Sequence, residues 1–482
     1  MRKARTMDMK RAVLLLMALA VGSLASASDL QDDAKEPADR TKVVFFFDTE
    51  DFIQPRSADA IRDIANILRS EGVRGHFAMI GYLGKKLVDW RRTDVLDALR
   101  HHLVGTQTLY HSLHPNITES TDIEDYARAR EIAFDEECRA IGMLQAATGQ
   151  ERMWCSVLPG NGNTIVALYL YADLGIPFFG GGTGMYEDET KCGDIWYCNQ
   201  RHLNYAYNMH LESFIPNYIG MRDIDRELDV LAKQKVATLY MHPHMAVCQR
   251  HWDWVFKGGN NYAFGKWPFA PARDAADTAV FYERLRAFIR RLKADRRFEI
   301  TDCERLYAEQ KPRRTIRRAD VPAIRKALRA SLGPVRAPGE WCVADAFQAA
   351  VRFLGGADAF EPGKAYGFLY EPKGVSARCT VTAADLRAAA AKLDLATFVP
   401  PSIAVGGKAI GPADFLFAAL EVLETGAAEV AVEPRDQLGE IARYLPKMAR
   451  ANFRKTWIYT DDYKDEWTSN RLRWQFWTFR YE

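Results

Sequence analysis

Val43-Val44-Phe45-Phe46-Phe47-Asp48-Thr49-Glu50-Asp51 is the stretch on which the reading of this chain turns. Five consecutive apolar residues, β-branched or aromatic, suit a strand covered on both faces, as in the parallel sheets of α/β proteins. The run ends in three carboxylates, and in parallel α/β folds the carboxyl ends of the strands are where chemistry collects. Asp48, Glu50 and Asp51 are therefore candidate functional groups.

Downstream, apolar runs alternate with amphipathic stretches. Ala58–Ser70 places Ile61, Ile64, Ala65 and Leu68 on one helical face and stops before Gly72. Gly75–Ile80 reads as the next strand. Helix Asp94–His101 then leads into strand Leu103–Gln107, helix Asp122–Thr148 into Met153–Leu158, and helix Thr164–Asp173 into Pro177–Phe179. Later strands are expected at Ala237–Met241 and Phe298–Thr301, with a long Gly-, Asn- and aromatic-rich excursion, His242–Arg273, between them. Repeated β/α units of this kind predict one parallel β/α sheet or barrel over residues 42–310. Lys311-Pro312-Arg313-Arg314 is read as a linker. Beyond it, Val321–Leu332, Val343–Leu354, Ala383–Leu393 and Pro412–Leu423 predict a smaller, mainly helical domain over 315–440, followed by an aromatic-rich extension over 441–482.

The 482 residues, 48% of them hydrophobic, are enough to bury a large core. A formal charge of +2 with dispersed Lys and Arg excludes a nucleic-acid surface. Residues 1–27 read as a signal peptide: Arg2, Lys3, Arg5, Lys10 and Arg11 precede the apolar Ala12–Val21, and Ala25-Ser26-Ala27 forms a small-residue cleavage site. That apolar stretch is short of the about 20 residues a spanning helix needs, so the expectation is export to a periplasmic or extracellular space with no stable membrane span after cleavage. Eight cysteines are compatible with disulfides in such a compartment, Cys192 with Cys198 first and Cys342 with Cys379 second.

Two more segments join the acids. Gly105-Thr106-Gln107-Thr108-Leu109-Tyr110-His111-Ser112-Leu113-His114-Pro115 follows one apolar strand, and Leu239-Tyr240-Met241-His242-Pro243-His244 closes another. Three strand ends thus offer carboxylates and imidazoles, a set able to hold a divalent metal and still supply a base and an acid.

On these segments and their order, the chain over Lys42–Gln310 resembles the polysaccharide deacetylase family of metal-dependent carbohydrate esterases, which share a distorted β/α barrel. The resemblance implies Asp48 as the catalytic base, Asp51 or Glu50 as a metal ligand, His111 as a histidine ligand and His242 as the proton donor. It implies zinc as the divalent metal, and N-deacetylation of a cell-wall or extracellular glycan as the activity. The sequence departs from the family twice. Gln107 stands where a first metal histidine belongs, with His114 available to replace it. The arginine that orients the base is missing near Cys155-Ser156-Val157-Leu158, leaving Arg152 or Arg222 to take its place. Trp252, Trp254, Tyr262 and Trp267 on the long excursion are the expected sugar-stacking surface. The alternative reading is a barrel that binds glycan without turnover, and a third is a hydrolase of small cyclic amides.

Overall fold

The computed structural model describes residues 40–181, 195–204, 209–259, 262–439 and 458–481. The expected signal peptide, Cys192 and the first part of the aromatic extension lie outside these residues.

The apolar run becomes β1 (Thr41–Thr49), which lies near one end of the sheet and pairs with three other strands. It is followed by α1 (Pro55–Ser70), β2 (His76–Met79), α2 (Gly81–Asp89), α3 (Thr93–Leu99) and β3 (Leu103–Thr106). The chain continues through α4 (Tyr126–Thr148), β4 (Cys155–Val157), α5 (Ile165–Asp173), β5 (Phe178–Gly181), β6 (Ile195–Tyr197) and β7 (Gln200–Asn204). Helix α6 (Ile224–Leu231), β8 (Val236–Met241), α7 (Ala275–Ala294) and β9 (Phe298–Thr301) complete the unit. From β5 to β8 the order is β5-β4-β3-β2-β1-β8, all parallel, with β9 pairing the first half of β1 while β2 pairs its second half. At the far edge β7 joins β5 in parallel and β6 returns antiparallel. The expected β/α unit is present, but its sheet is mixed where a parallel one was expected, because β6 pairs antiparallel at the edge. Its antiparallel hairpin had no sequence signal, because three- and five-residue strands are too short to show a period.

Alternation along β1 separates two cores. Val43, Phe45 and Phe47 pack with the α1 residues Ile61, Ile64 and Leu68 in the outer layer. Val44 and Phe46 point the other way, into a smaller interior cluster with Ala78, Cys155, Phe178, Leu203 and Tyr240. That interior cluster is the floor on which the candidate site rests.

The second unit buries its own core around α8 (Val321–Ala330), α9 (Val343–Leu354), α10 (Ala383–Ala390) and α11 (Pro412–Thr425), with three two-stranded ribbons. The last segment returns to the first unit: α12 (Thr468–Trp474) leads to β10 (Arg480–Tyr481), which pairs antiparallel with β6. Cys342 and Cys379 are free thiols, so the pairing expected between them does not form; Cys342 Sγ instead accepts a hydrogen bond from the Asp345 backbone at the start of α9. Cys198 is a buried free thiol as well. Among the described residues no helix is long and apolar enough to cross a membrane.

Candidate active site

The period of two that sorts β1 into inner and outer faces continues past its end. Asp48 and Glu50 follow Val44 and Phe46 onto the interior face, and both are buried. Asp51 goes to the helix side, where it accepts hydrogen bonds from the Ile53 and Gln54 amides at 2.9 and 3.1 Å, from Gln54 Nε2 at 2.7 Å and from Ser57 Oγ at 2.5 Å. Its oxygens are occupied in joining β1 to α1.

The segment after β3 brings a second wall. Thr108 and His111 both have left-handed backbone, φ 61 and 53, a costly conformation for residues with a Cβ. It is fixed by the Gly81 and Tyr82 amides donating to the Thr108 and Leu109 carbonyls at 2.9 and 3.0 Å, and by the His111 amide donating to Thr108 Oγ1 at 3.0 Å. The outcome is His111 Nε2 at 3.3 Å from Glu50 Oε1, with Gln107 Nε2 donating to the same oxygen at 3.2 Å. The third wall comes from β8, where Tyr240 and His242 share a face. The Tyr240 hydroxyl donates to Asp48 Oδ2 at 2.9 Å and lies 3.0 Å from His242 Nε2.

Glu212, which sequence reasoning missed, anchors His242: its Oε1 accepts from the His242 amide at 2.9 Å and lies 3.1 Å from Nδ1. It stands two residues after His210, which bridges in parallel to Tyr240. One bridge is too little for a strand pattern, so no periodic signal marked it.

Charge follows the geometry. Burial and the neighbouring Glu50 push the Asp48 carboxyl up to about 7. For Glu50 burial works in the same upward sense, but His111 and His242 outweigh it and hold the carboxyl well below the usual range. His242 is pushed up to about 10, burial being overcome by Glu50 and Glu212, and is therefore an imidazolium at neutral pH. These groups open on a cavity of about 200 Å³ lined by Asp48, Glu50, His111, Tyr240 and His242 together with Leu158, Gly160 and Ile458.

The donors suit a divalent ion. Asp48, Glu50 and His242 bring their polar atoms within 4.8 Å of one another, and Glu50 beside His111 pairs a carboxylate with an imidazole, a zinc-type donor set. Gln107 Oε1 and His111 Nδ1 are buried without a hydrogen-bond partner, which a complete polar site does not leave.

Other expected members stand elsewhere. His114 is paired with Glu119 Oε2 at 2.8 Å and the Phe256 carbonyl at 3.2 Å, beside the helical turn that Asn116 caps, and lines no part of the cavity. Arg152 lies over Trp154 and Tyr307, and Arg222 pairs with Glu227, so the contact to Asp48 falls to Tyr240 instead. The stacking surface is not assembled at the cavity. Trp252 is buried and donates from Nε1 to Glu50 Oε2 at 2.8 Å, which makes it a positioning residue. Trp267 packs edge-on against Phe52 and Phe264. Trp254 and Tyr262 are solvent-exposed.

No family model and no curated protein matches the sequence. Among solved structures, the chain is similar to a 4-alpha-glucanotransferase from Thermococcus litoralis, at 12% identity and TM-score 0.37 over 57% of this chain. It spans about two fifths of that enzyme's length, 41%. It is similar to a chain from Mycobacterium smegmatis described as a polysaccharide deacetylase, at 15% identity and TM-score 0.35, covering 57% of this chain and 91% of that one. A CE4 family pseudoenzyme from Bacillus anthracis matches at 14% identity and TM-score 0.25, covering 43% of this chain and 56% of that one.

Proposed function

We propose that this chain is an exported, metal-assisted hydrolase of C–N amide bonds that removes acetyl groups from an N-acetylated glycan. The observation that carries the reading is the convergence of Asp48, Glu50 and His242, from two strand ends, on one small cavity. Export rests on the residue pattern of positions 1–27.

Amide hydrolysis needs a nucleophile, a polarised carbonyl and a proton for the departing amine. Glu50, His111 and the Gln107 side-chain carbonyl would hold the ion, which when bound supplies a water of lowered pKa and an electrophile for the carbonyl. Zinc suits the carboxylate and imidazole donors. Asp48, whose carboxyl sits at about 7, accepts a proton at neutral pH and gives it up again. The Tyr240 hydroxyl fixes Asp48 Oδ2 and so sets the direction in which the carboxylate faces. His242 is charged and tethered at Nδ1 by Glu212, and its Nε2, 3.0 Å from the Tyr240 hydroxyl, carries the proton for the departing nitrogen. The polar atoms of Asp48 and His242 lie within 4.8 Å of those of Glu50, which sets both proton carriers beside the carboxylate that would hold the ion.

The test is acetate release from N-acetylglucosamine by the zinc-loaded protein. Less than about a tenth of an equivalent of bound metal, with no acetate after addition of zinc, cobalt or nickel, refutes the reading. One observation favours the second reading, a glycan binder without turnover. Glu50 already accepts from Gln107 and Trp252 and faces His111, so its charge is balanced by protein groups alone.

A further inference from the structure

The cavity contains a residue from the far end of the chain. Ile458 is 4% exposed and lines the same cavity as Asp48 and His242. It is held there by a series of contacts along the segment. The Asn116 side chain donates to the Ile458 carbonyl, and the Thr460 amide donates to Glu119 Oε1 at 2.6 Å. The Asp122 carboxylate accepts from the amides of Glu466, Trp467 and Thr468 at 2.7–2.8 Å, and Arg471 donates to the Ile123 carbonyl at 2.7 Å. The loop after β4 is shaped to receive the segment. A Cβ at Gly160, whose φ is +55, would lie 2.4 Å from Ile458 Cγ1, and one at Gly162 would lie 2.0 Å from the Tyr459 hydroxyl.

We infer that Ile458 and the strap behind it are the specificity determinant of the site, restricting it to a small N-acetylated molecule or the terminal unit of a chain and excluding interior units of a polymer. This rests on the amide-hydrolase reading for the identity of the acetyl group, and on the strap alone for the size limit. A volume of about 200 Å³ is the space of roughly six or seven waters and falls below the ~300–1,000 Å³ of sites that enclose drug-sized ligands. An interior sugar must enter with a neighbour on each side, and where Ile458 packs against Gly160 it occupies space beside the cavity that such a neighbour would need.

The full-length zinc-loaded protein is offered N,N′,N″,N‴-tetraacetylchitotetraose, and mass spectrometry locates the unit that loses acetate. The expected product is deacetylated at a terminal unit only. Ile458→Gly, with Ile458→Val as a graded variant, shifts the interior-to-terminal ratio by at least about tenfold. A second arm uses Asp48→Asn and saturation-transfer NMR, where only a terminal acetyl methyl is expected to contact the protein. Terminal-only contact without acetate release removes the hydrolase reading and leaves the strap standing. Interior units processed or contacted by the unmodified chain overturn the strap, as does an unchanged ratio in folded Ile458→Gly. Neither release nor contact overturns both.

Discussion

Period two decides which acids of the Asp48–Asp51 run meet the cavity, and it does so without reference to any relative. Residues 48 and 50 extend the inner face of β1, whereas residue 51 extends the outer one, and the donors gathered around Asp51 are the consequence. The same alternation is legible in the sequence for Tyr240 and His242. A strand period says nothing certain about residues beyond the strand's end, so by sequence alone Asp51 and Glu50 are interchangeable. Asp48→Asn is expected to abolish acetate release while metal content by elemental analysis stays at one equivalent; loss of the metal together with activity would move Asp48 into the coordination sphere. Asp51→Ala should leave metal content unchanged and cost about 1–3 kcal/mol in chemical denaturation, because it orphans buried donors. Gln107→His is expected to tighten zinc binding in a chelator competition, since imidazole is the stronger ligand.

One buried acid away from the site gives a pH signature. Burial raises the Glu137 carboxyl on α4 to about 8, with Glu136 adding to the shift; it takes a hydrogen bond from Thr106 Oγ1 at 3.1 Å. A folded-state pKa above the unfolded one means that stability is full below about 4.5 and declines as pH rises toward 8. Glu137→Gln should therefore raise Tm at pH 8 by several degrees and change it little at pH 4.5, as read by scanning calorimetry. An equal shift at both pH values would show that ionisation plays no part.

At the level of elements, the sequence was most informative where patterns were long. Helices α1, α4, α5, α9 and α11 and strands β1, β8 and β9 stand close to their expected limits, because each repeats an apolar face or ends at a recognisable stop. Strands of two to five residues, such as β6, β7 and β10, carry no period. The place of β10 is set by β6, a partner distant in the chain, which composition does not encode. The C-terminal aromatics show the same limit: an aromatic-rich extension was legible, but the surfaces that Trp474, Phe476 and Trp477 pack against were not. Helix α12 owes its start to Asp122, a carboxylate borrowed from more than three hundred positions away that satisfies three amides and Thr468 Oγ1. Asp122→Ala is expected to cost about 1–2 kcal/mol and to expose the segment from 458 onward to limited proteolysis before the rest of the chain. Unaltered protection of that segment would assign its anchoring to the aromatic packing alone.

Across the whole molecule, the final segment is shared. Phe476 and Phe479 belong to the cluster around Tyr169, Phe179 and Tyr197 of the first unit, while Trp474 and Trp477 complete the core of the second. Removing residues 458–482 should therefore lower the unfolding temperature of both units in a calorimetric scan, and a truncated protein that retains either unfolding transition unshifted would contradict this.

The pairing of Arg480–Tyr481 with Ile195–Trp196 also has a meaning in time. Synthesis proceeds at ~5–20 residues per second, so roughly 15–60 s separate the emergence of the inner strand from that of its neighbour. During that interval the sheet presents a bare rim able to recruit foreign strands. Ribosome-bound nascent chains halted before position 458 are thus expected to be clients of holdase chaperones, and emergence of residues 480–481 is the event that closes the rim.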